Sequence, residues 1–216
     1  MKVTTFRIGN PKYEQIGEPV FGSTKAYYKV PTLPAYAIID SRLDLENSMH
    51  TDAGYVLPHY ELLNDCVATA GRFQDIFQSP SGILTIYHNG IKDYKLLFPH
   101  IENDSLKVRL GQFAEEASNA FESQSWVSYV LMVGGVLEGL LYNQFGNKKF
   151  QTLINEANDK DLITDEEATL IDRVRIARNK IHACKYNEII ADRKTALELS
   201  TAYDRLVKRD WNFSAN

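Results

Sequence analysis

The stretch Asp172–Tyr186, DRVRIARNKIHACKY, holds the residue types and spacing best suited to chemistry. An α-helix turns by about 100° per residue, so positions three, four and seven apart share a face. On that geometry Arg175, Arg178, Asn179 and His182 share one face. Leu170, Val174, Ala177 and Ile181 share another, and that face is apolar. The expected helix buries the apolar side and presents two guanidiniums, an amide and an imidazole on the other. Arginine carries fixed positive charge in a planar fork that suits phosphate oxygens. Histidine can take and return a proton near neutral pH. Together these groups could cleave RNA without a metal. The imidazole would take the proton of a ribose 2′-hydroxyl, and arginine would stabilise the charge that builds on phosphorus. The plainer reading is a solvated basic face with an ordinary histidine.

The elements that must position this face follow from the period-3.6 pattern that runs from about Asp104 to the end of the chain. Ser105–Ser123 reads as a first helix, with Val108, Phe113, Ala117 and Phe121 toward the core. Ser125–Phe145 reads as a second, mostly apolar one. Its glycines Gly134, Gly135 and Gly139 each cost helix stability, up to about 1 kcal/mol, and would be explained by close packing on another helix. Its apolar run, Trp126–Tyr142, falls short of the roughly 20 residues a bilayer needs and contains Glu138, so it reads as a buried core helix. A short helix follows over Lys149–Ala157. Thr164-Asp165-Glu166-Glu167 then has the form of a capping box and starts the helix carrying the arginines and His182. A last helix spans Asp192–Arg209, with Leu197, Ala202, Tyr203 and Leu206 facing inward.

The segment RNKIH on a helix, within this order of helices, resembles the signature of HEPN domains (higher eukaryotes and prokaryotes nucleotide-binding). That signature is an arginine, usually followed by Asn, Asp or His, with four to six residues before a histidine. Arg175 and His182 have six residues between them, at the long end of the range. Arg178 is the arginine followed by asparagine, but only three residues separate it from His182. The two features of the signature therefore fall on two different arginines, and either could be the catalytic one. The helix reading GGVLEGLLYNQF, the short helix with LINEA and the loop with DLIT extend the likeness over roughly residues 105–210, to a bacterial HEPN group that includes abortive-infection proteins. In that group the glutamate of a Leu-Glu pair on the second helix lies near the motif, and Leu137-Glu138 matches it. Such a carboxylate could orient His182, or simply form a buried ion pair with Arg175 or Arg178.

The resemblance implies a metal-independent endoribonuclease of a toxin–antitoxin or phage-defence type system, with no cofactor and no metal. RNA would be the substrate, a homodimer through the helical bundle the working form, and an antitoxin or regulatory protein a further partner. It also implies roles: His182 as general base and then general acid, Arg178 or Arg175 on the phosphate, Asn179 holding imidazole or phosphate, and Glu138 in support. Other members of the group only bind nucleotides, RNA or proteins, so a non-catalytic binding module is the alternative. A third reading, an enzyme whose site lies in the N-terminal half, has no motif behind it.

The N-terminal half, residues 1–104, reads as a small mixed α/β module, which with residues 105–212 as a helical bundle makes the chain α+β. Val3–Ile8, Ala26–Val30 and Tyr36–Asp40 are rich in β-branched and aromatic residues and read as strands. Pro58 can open a helix running to about Gln78, with Tyr60, Leu63, Val67, Ala70 and Phe73 as its stripe. Ile83–Tyr87 and Tyr94–Phe98 read as a hairpin about His88-Asn89-Gly90. His50, His59, His88 and His100 have no metal-binding spacing and read as scattered surface or loop residues. No glycine-rich phosphate loop and no GxSxG elbow occurs. Tyr27, Tyr28, Phe73 and Phe77 are core aromatics on this reading, with base stacking as the other use.

Composition sets the limits. The 216 residues, 44% hydrophobic and 24% charged, are those of a globular chain able to bury a core. A net charge of −4 argues against a bulk coater of nucleic acid but leaves room for a local basic site. Cys66 and Cys184 form no CxxC pattern, and MKVTTFRIGN lacks a signal peptide's apolar run, so a reducing cytoplasm and no membrane are expected.

Overall fold

A computed structural model of the chain describes residues 1–16, 23–46, 50–51, 54–55, 59–72, 81–180, 183–188 and 191–209. The fold is α+β. It divides into two compact units, Met1–Asp93 and Tyr94–Asn216.

The first unit is built from antiparallel strands: β1 (Lys2–Gly9), β2 (Lys12–Ile16), β3 (Ser23–Lys29), β4 (Tyr36–Leu45), β5 (His50–Thr51), β6 (Gly54–Tyr55), β7 (Tyr60–Leu62), β8 (Cys66–Arg72) and β9 (Ser81–Ile91). One sheet has the order β1-β9-β4, a second β2-β3-β8-β7, and β5 pairs with β6. Alternation selects the buried face of each sheet. Phe6 and Ile8 on β1, Leu84 and Ile86 on β9, and Ala26 and Tyr28 on β3 are all buried. Desolvation pushes the Tyr28 phenol up to about 12, so it is a neutral core group. Tyr27, its neighbour, donates to Glu14 at 2.6 Å on the other face.

Two expectations for this half fail. Tyr60–Arg72 is not helical but a hairpin of β7 and β8; residues 73–80, including Phe73 and Phe77, lie outside those described. The chain reverses at Asn64-Asp65, where the Leu63 amide donates to the Cys66 carbonyl at 2.9 Å. Asn and Asp favour such turns. The supposed helical stripe is not buried as a unit, because Leu63 and Ala70 are exposed while Val67 packs across from Tyr28. The hairpin around His88-Asn89-Gly90 is also absent. β9 runs straight through these residues, and Tyr94–Leu97 is a 3-10 turn. Gly90, at φ +128°, lies where the pairing of β4 with β9 shifts register, so Asn-Gly here marks a bulge in a strand. His88 is accordingly no surface residue. It is buried, with Nε2 3.0 Å from the Thr4 hydroxyl and Nδ1 accepting from the Gly90 amide at 3.1 Å.

The second unit holds five helices: α1 (Asp104–Glu122), α2 (Trp126–Phe145), α3 (Phe150–Asp159), α4 (Asp165–Asn179) and α5 (Arg193–Lys208). Each lies within a few residues of its expected span, and no strand interrupts residues 104–180. α2 is the hub and touches the other four. Tyr129, Val130, Val133, Val136, Leu137, Leu140 and Leu141 are its buried face, while Val127 and Tyr142 are exposed. No described helix is long and apolar enough to cross a membrane. The α2 glycines are contact points. A Cβ on Gly135 would stand 2.8 Å from the Phe113 ring of α1, and one on Gly134 2.7 Å from both Val174 and Arg178 of α4. Any larger residue would push these helices apart. Two inward assignments are corrected: Val108 of α1 and Leu197 of α5 are exposed, and Leu110 and Leu199 are buried instead. Ala117 of α1 and Ala202 and Leu206 of α5 are buried as expected, so each stripe departs from the expectation only near its start, a difference that a short periodic window does not resolve.

Candidate functional site

The start of α4 is fixed by its sequence. The Thr164 hydroxyl accepts from the Glu167 amide at 3.2 Å, and the Glu167 carboxylate accepts from the Thr164 amide at 3.0 Å. This capping box satisfies backbone donors that the first turn otherwise leaves bare. It also sets the helical phase from which every later side chain takes its direction. Ile171, Val174 and Ala177 then fall on the buried face. Leu170, expected there, is only half-buried, and Ile171 takes the deeper place.

The same phase turns Arg175, Arg178 and Asn179 to one wall of a cavity of about 430 Å³. α2 contributes Leu131, Met132, Gly135 and Glu138, α1 contributes Phe113, and α3 contributes Phe150. The volume lies in the range of small-molecule sites, about 300–1,000 Å³. Four of the five residues picked out from the sequence thus border one space: Arg175, Arg178, Asn179 and Glu138.

Both arginines carry a carboxylate partner. Arg178 Nη1 donates to Glu138 Oε2 at 2.5 Å, with both side chains about one-third exposed. Glu138 is therefore an arginine partner, as one of the two expectations had it, though half-buried and not sealed from water. The Arg178 guanidinium also lies 5.8 Å from the centre of the Phe150 ring, within cation–π range. Arg175 Nε donates to Asp172 Oδ1 at 2.7 Å, one turn back on its own helix. Each guanidinium has five N–H donors, so these bonds leave others for a ligand. Asn179 is exposed at the end of the helix.

His182 lies outside the described residues, as does Ile181. α4 ends at Asn179: the Lys180 amide bonds to the Ala177 carbonyl at 3.0 Å, a tightened last turn, and a 3-10 turn takes over at Ala183–Lys185. The regular helix thus ends three residues before the histidine that it was expected to carry, and the expected place of His182 on the arginine face lies outside the described residues. The sequence has no glycine or proline between Asn179 and Tyr186 to signal the stop.

The site residues that sequence spacing does not single out are apolar: Phe113, expected in the core, and Leu131, Met132 and Phe150. The pair Gly134-Gly135 was the usable signal, since two small residues on an otherwise bulky helix let both a ring and an arginine approach α2. Elsewhere, no group of three or more His, Cys, Asp or Glu side chains among the described residues is arranged to hold a metal ion, and Cys66 and Cys184 are free thiols.

The chain matches no family model, and no curated protein and no solved structure is significantly similar to it.

Proposed function

We propose that the helical unit is a HEPN-type, metal-independent endoribonuclease. The observation that carries the reading is the cavity: two arginines and an asparagine from one helix, just ahead of a histidine in sequence, line it together with a carboxylate from α2. In this chemistry the His182 imidazole takes the proton of a ribose 2′-hydroxyl. The oxygen then attacks the adjacent phosphorus, forming the O2′–P bond. The P–O5′ bond breaks, the imidazolium returns its proton to the leaving 5′-oxygen, and a 2′,3′-cyclic phosphate remains. Arg178, with Arg175 beside it, stabilises the extra negative charge on the phosphoryl oxygens. Asn179 hydrogen-bonds the phosphate or the imidazole. Two copies of the unit side by side would double the local positive charge of an acidic chain, and the reading includes a homodimer. It also places the chain in the cytoplasm, within a toxin or phage-defence type system that a partner protein holds in check.

The test is RNA cleavage in excess EDTA. His182→Ala should abolish it, and Arg178→Ala should reduce it by a factor of roughly 100 or more, the usual scale for one lost stabiliser of an oxyanion. Arg178→Lys should not restore it, because an ammonium lacks the planar fork. Parent-like cleavage by His182→Ala, Arg175→Ala and Arg178→Ala alike would remove the nuclease reading. The second reading is a non-catalytic module that binds nucleotides or RNA: both arginines are bonded to carboxylates, which offsets part of their charge and suits holding a ligand without transforming it. RNA binding that weakens with salt, without cleavage, identifies that case.

A further inference from the structure

We infer that the cavity is a base-reading subsite that takes one guanine of an unpaired RNA strand, with Glu138 as the residue that sets the preference. The RNA part rests on the reading above; the guanine preference rests on the cavity itself.

The lining divides by chemistry. Phe113, Leu131, Met132 and Phe150 give an apolar enclosure with two aromatic rings. The Phe113 ring takes its place on α2 because residue 135 is glycine: a Cβ there would stand 2.8 Å from it. A flat heteroaromatic ring stacks well in such a place and loses little in leaving water. The polar groups are Glu138, Arg175, Arg178 and Asn179. Two cations on one wall suit the phosphates on either side of a base. The carboxylate among them, Glu138, holds Arg178 but repels phosphate, so it suits the base and not the backbone.

A carboxylate only accepts hydrogen bonds, at about four lone-pair positions. Among the described residues Glu138 accepts one, from Arg178 to Oε2. That bond fixes its orientation and leaves Oε1 to accept from a ligand. The four bases differ in what they offer on the Watson–Crick edge. Guanine presents two adjacent donors, N1–H and N2–H, matched to the two oxygens of a carboxylate. Adenine and cytosine present one amino donor beside a ring-nitrogen acceptor. Uracil presents one N–H between two carbonyl oxygens. A carboxylate therefore pairs with guanine twice and meets a repelling lone pair on each of the others. Arg178 and Asn179 supply the donor type that guanine O6 requires. A site that bonds a donor pair rejects bases lacking it, because its own polar group is then buried without a partner.

The experiment is equilibrium binding of 5′-GMP, 5′-IMP, 5′-AMP, 5′-CMP and 5′-UMP to the full chain in EDTA, by calorimetry. GMP should bind tightest. IMP, which differs by the missing 2-amino group, should bind roughly tenfold or more weakly, the scale of one hydrogen bond to a charged group. Glu138→Gln should remove the difference between GMP and IMP while still binding nucleotides through the arginines. Equal affinity for all five, no GMP binding at millimolar concentration, or a preference that survives Glu138→Gln would each overturn the proposal. If that variant fails to fold, the GMP–IMP comparison in the parent decides alone. Cleavage is assayed in parallel on the same RNA with G, A, C or U at a single unpaired position. GMP preference in a chain that cleaves nothing keeps the subsite and removes the ribonuclease; metal-free cleavage with no base preference in either assay does the reverse.

Discussion

The two ends of α4 use the same pair of ion types for different ends. At its start, Glu167 is 2% exposed. It accepts from the Thr164 amide and twice from Arg209 Nη2, at 2.8 and 3.0 Å, while Arg205 approaches to 3.8 Å. Arg209 donates as well to the Leu162 carbonyl, so the guanidinium ties the end of α5 to the loop before α4. Three of its roughly four lone-pair positions are taken within the fold, and burial keeps a ligand from the rest. At the other end, Glu138 and Arg178 share a single hydrogen bond and are about one-third exposed on a cavity wall. A buried carboxylate must be fully bonded or it destabilises the fold. A half-exposed pair is under no such demand, and its spare donors and acceptors remain for whatever enters. An Arg–Glu pair by itself therefore says little about function; burial and unused hydrogen-bonding capacity separate a structural clamp from a site.

The strongest way to break this comparison is Glu167→Ala. It removes the capping box and strips Arg209 of its partner, and should cost about 3 kcal/mol, the lower end for a broken buried pair because Arg209 is itself partly exposed. Urea unfolding followed by far-ultraviolet circular dichroism measures it. A loss below about 1 kcal/mol would erase the distinction between the two ends.

Gly134→Ala comes next. Its Cβ would meet both Val174 and Arg178 at 2.7 Å. Overpacking of about 1–3 kcal/mol is partly offset by the better helix propensity of alanine, up to about 1 kcal/mol, leaving a net loss of about 1 kcal/mol. Because the clash falls on the Arg178 side chain, RNA binding or cleavage should fall by more than the stability loss accounts for. Activity equal to the parent's, measured well below the melting temperature, would show that the position of Arg178 is unimportant.

Glu138→Gln should cost under about 1 kcal/mol, as expected for a pair open to solvent, and clearly less than Glu167→Gln in the same background. Equal losses would mean that both pairs are structural. The smallest effect belongs to Arg175→Ala, which removes an (i, i+3) pair with Asp172 worth about 0.2–0.5 kcal/mol. It should be nearly silent in unfolding while lowering affinity for RNA.

How much of this was open to reading from the chain alone follows the range of the interactions involved. The helices of the second unit, the capping box at Thr164 and the shared face of Arg175, Arg178 and Asn179 depend on residues three or four apart, and local sequence determined them. So did the three strands expected over Val3–Ile8, Ala26–Val30 and Tyr36–Asp40, where β-branched and aromatic residues cluster. Tyr60–Arg72 escaped because a short apolar run fits both periods, and only its pairing with β3 decides between them. His88-Asn89-Gly90 escaped for a similar reason. Asn-Gly signals a turn between two strands, yet with β1 on one side and β4 on the other the backbone gains more by continuing as a central strand with a bulge. The end of α4 at Asn179 had no glycine or proline to announce it. The cavity was beyond sequence altogether. It exists because Phe113, Glu138, Phe150 and Arg178, spread over four helices, meet where two glycines let α1 and α4 close on α2. Sequence decides what each helix presents to its surroundings; which faces meet, and which ions are left half-bonded when they do, is settled only when the helices pack.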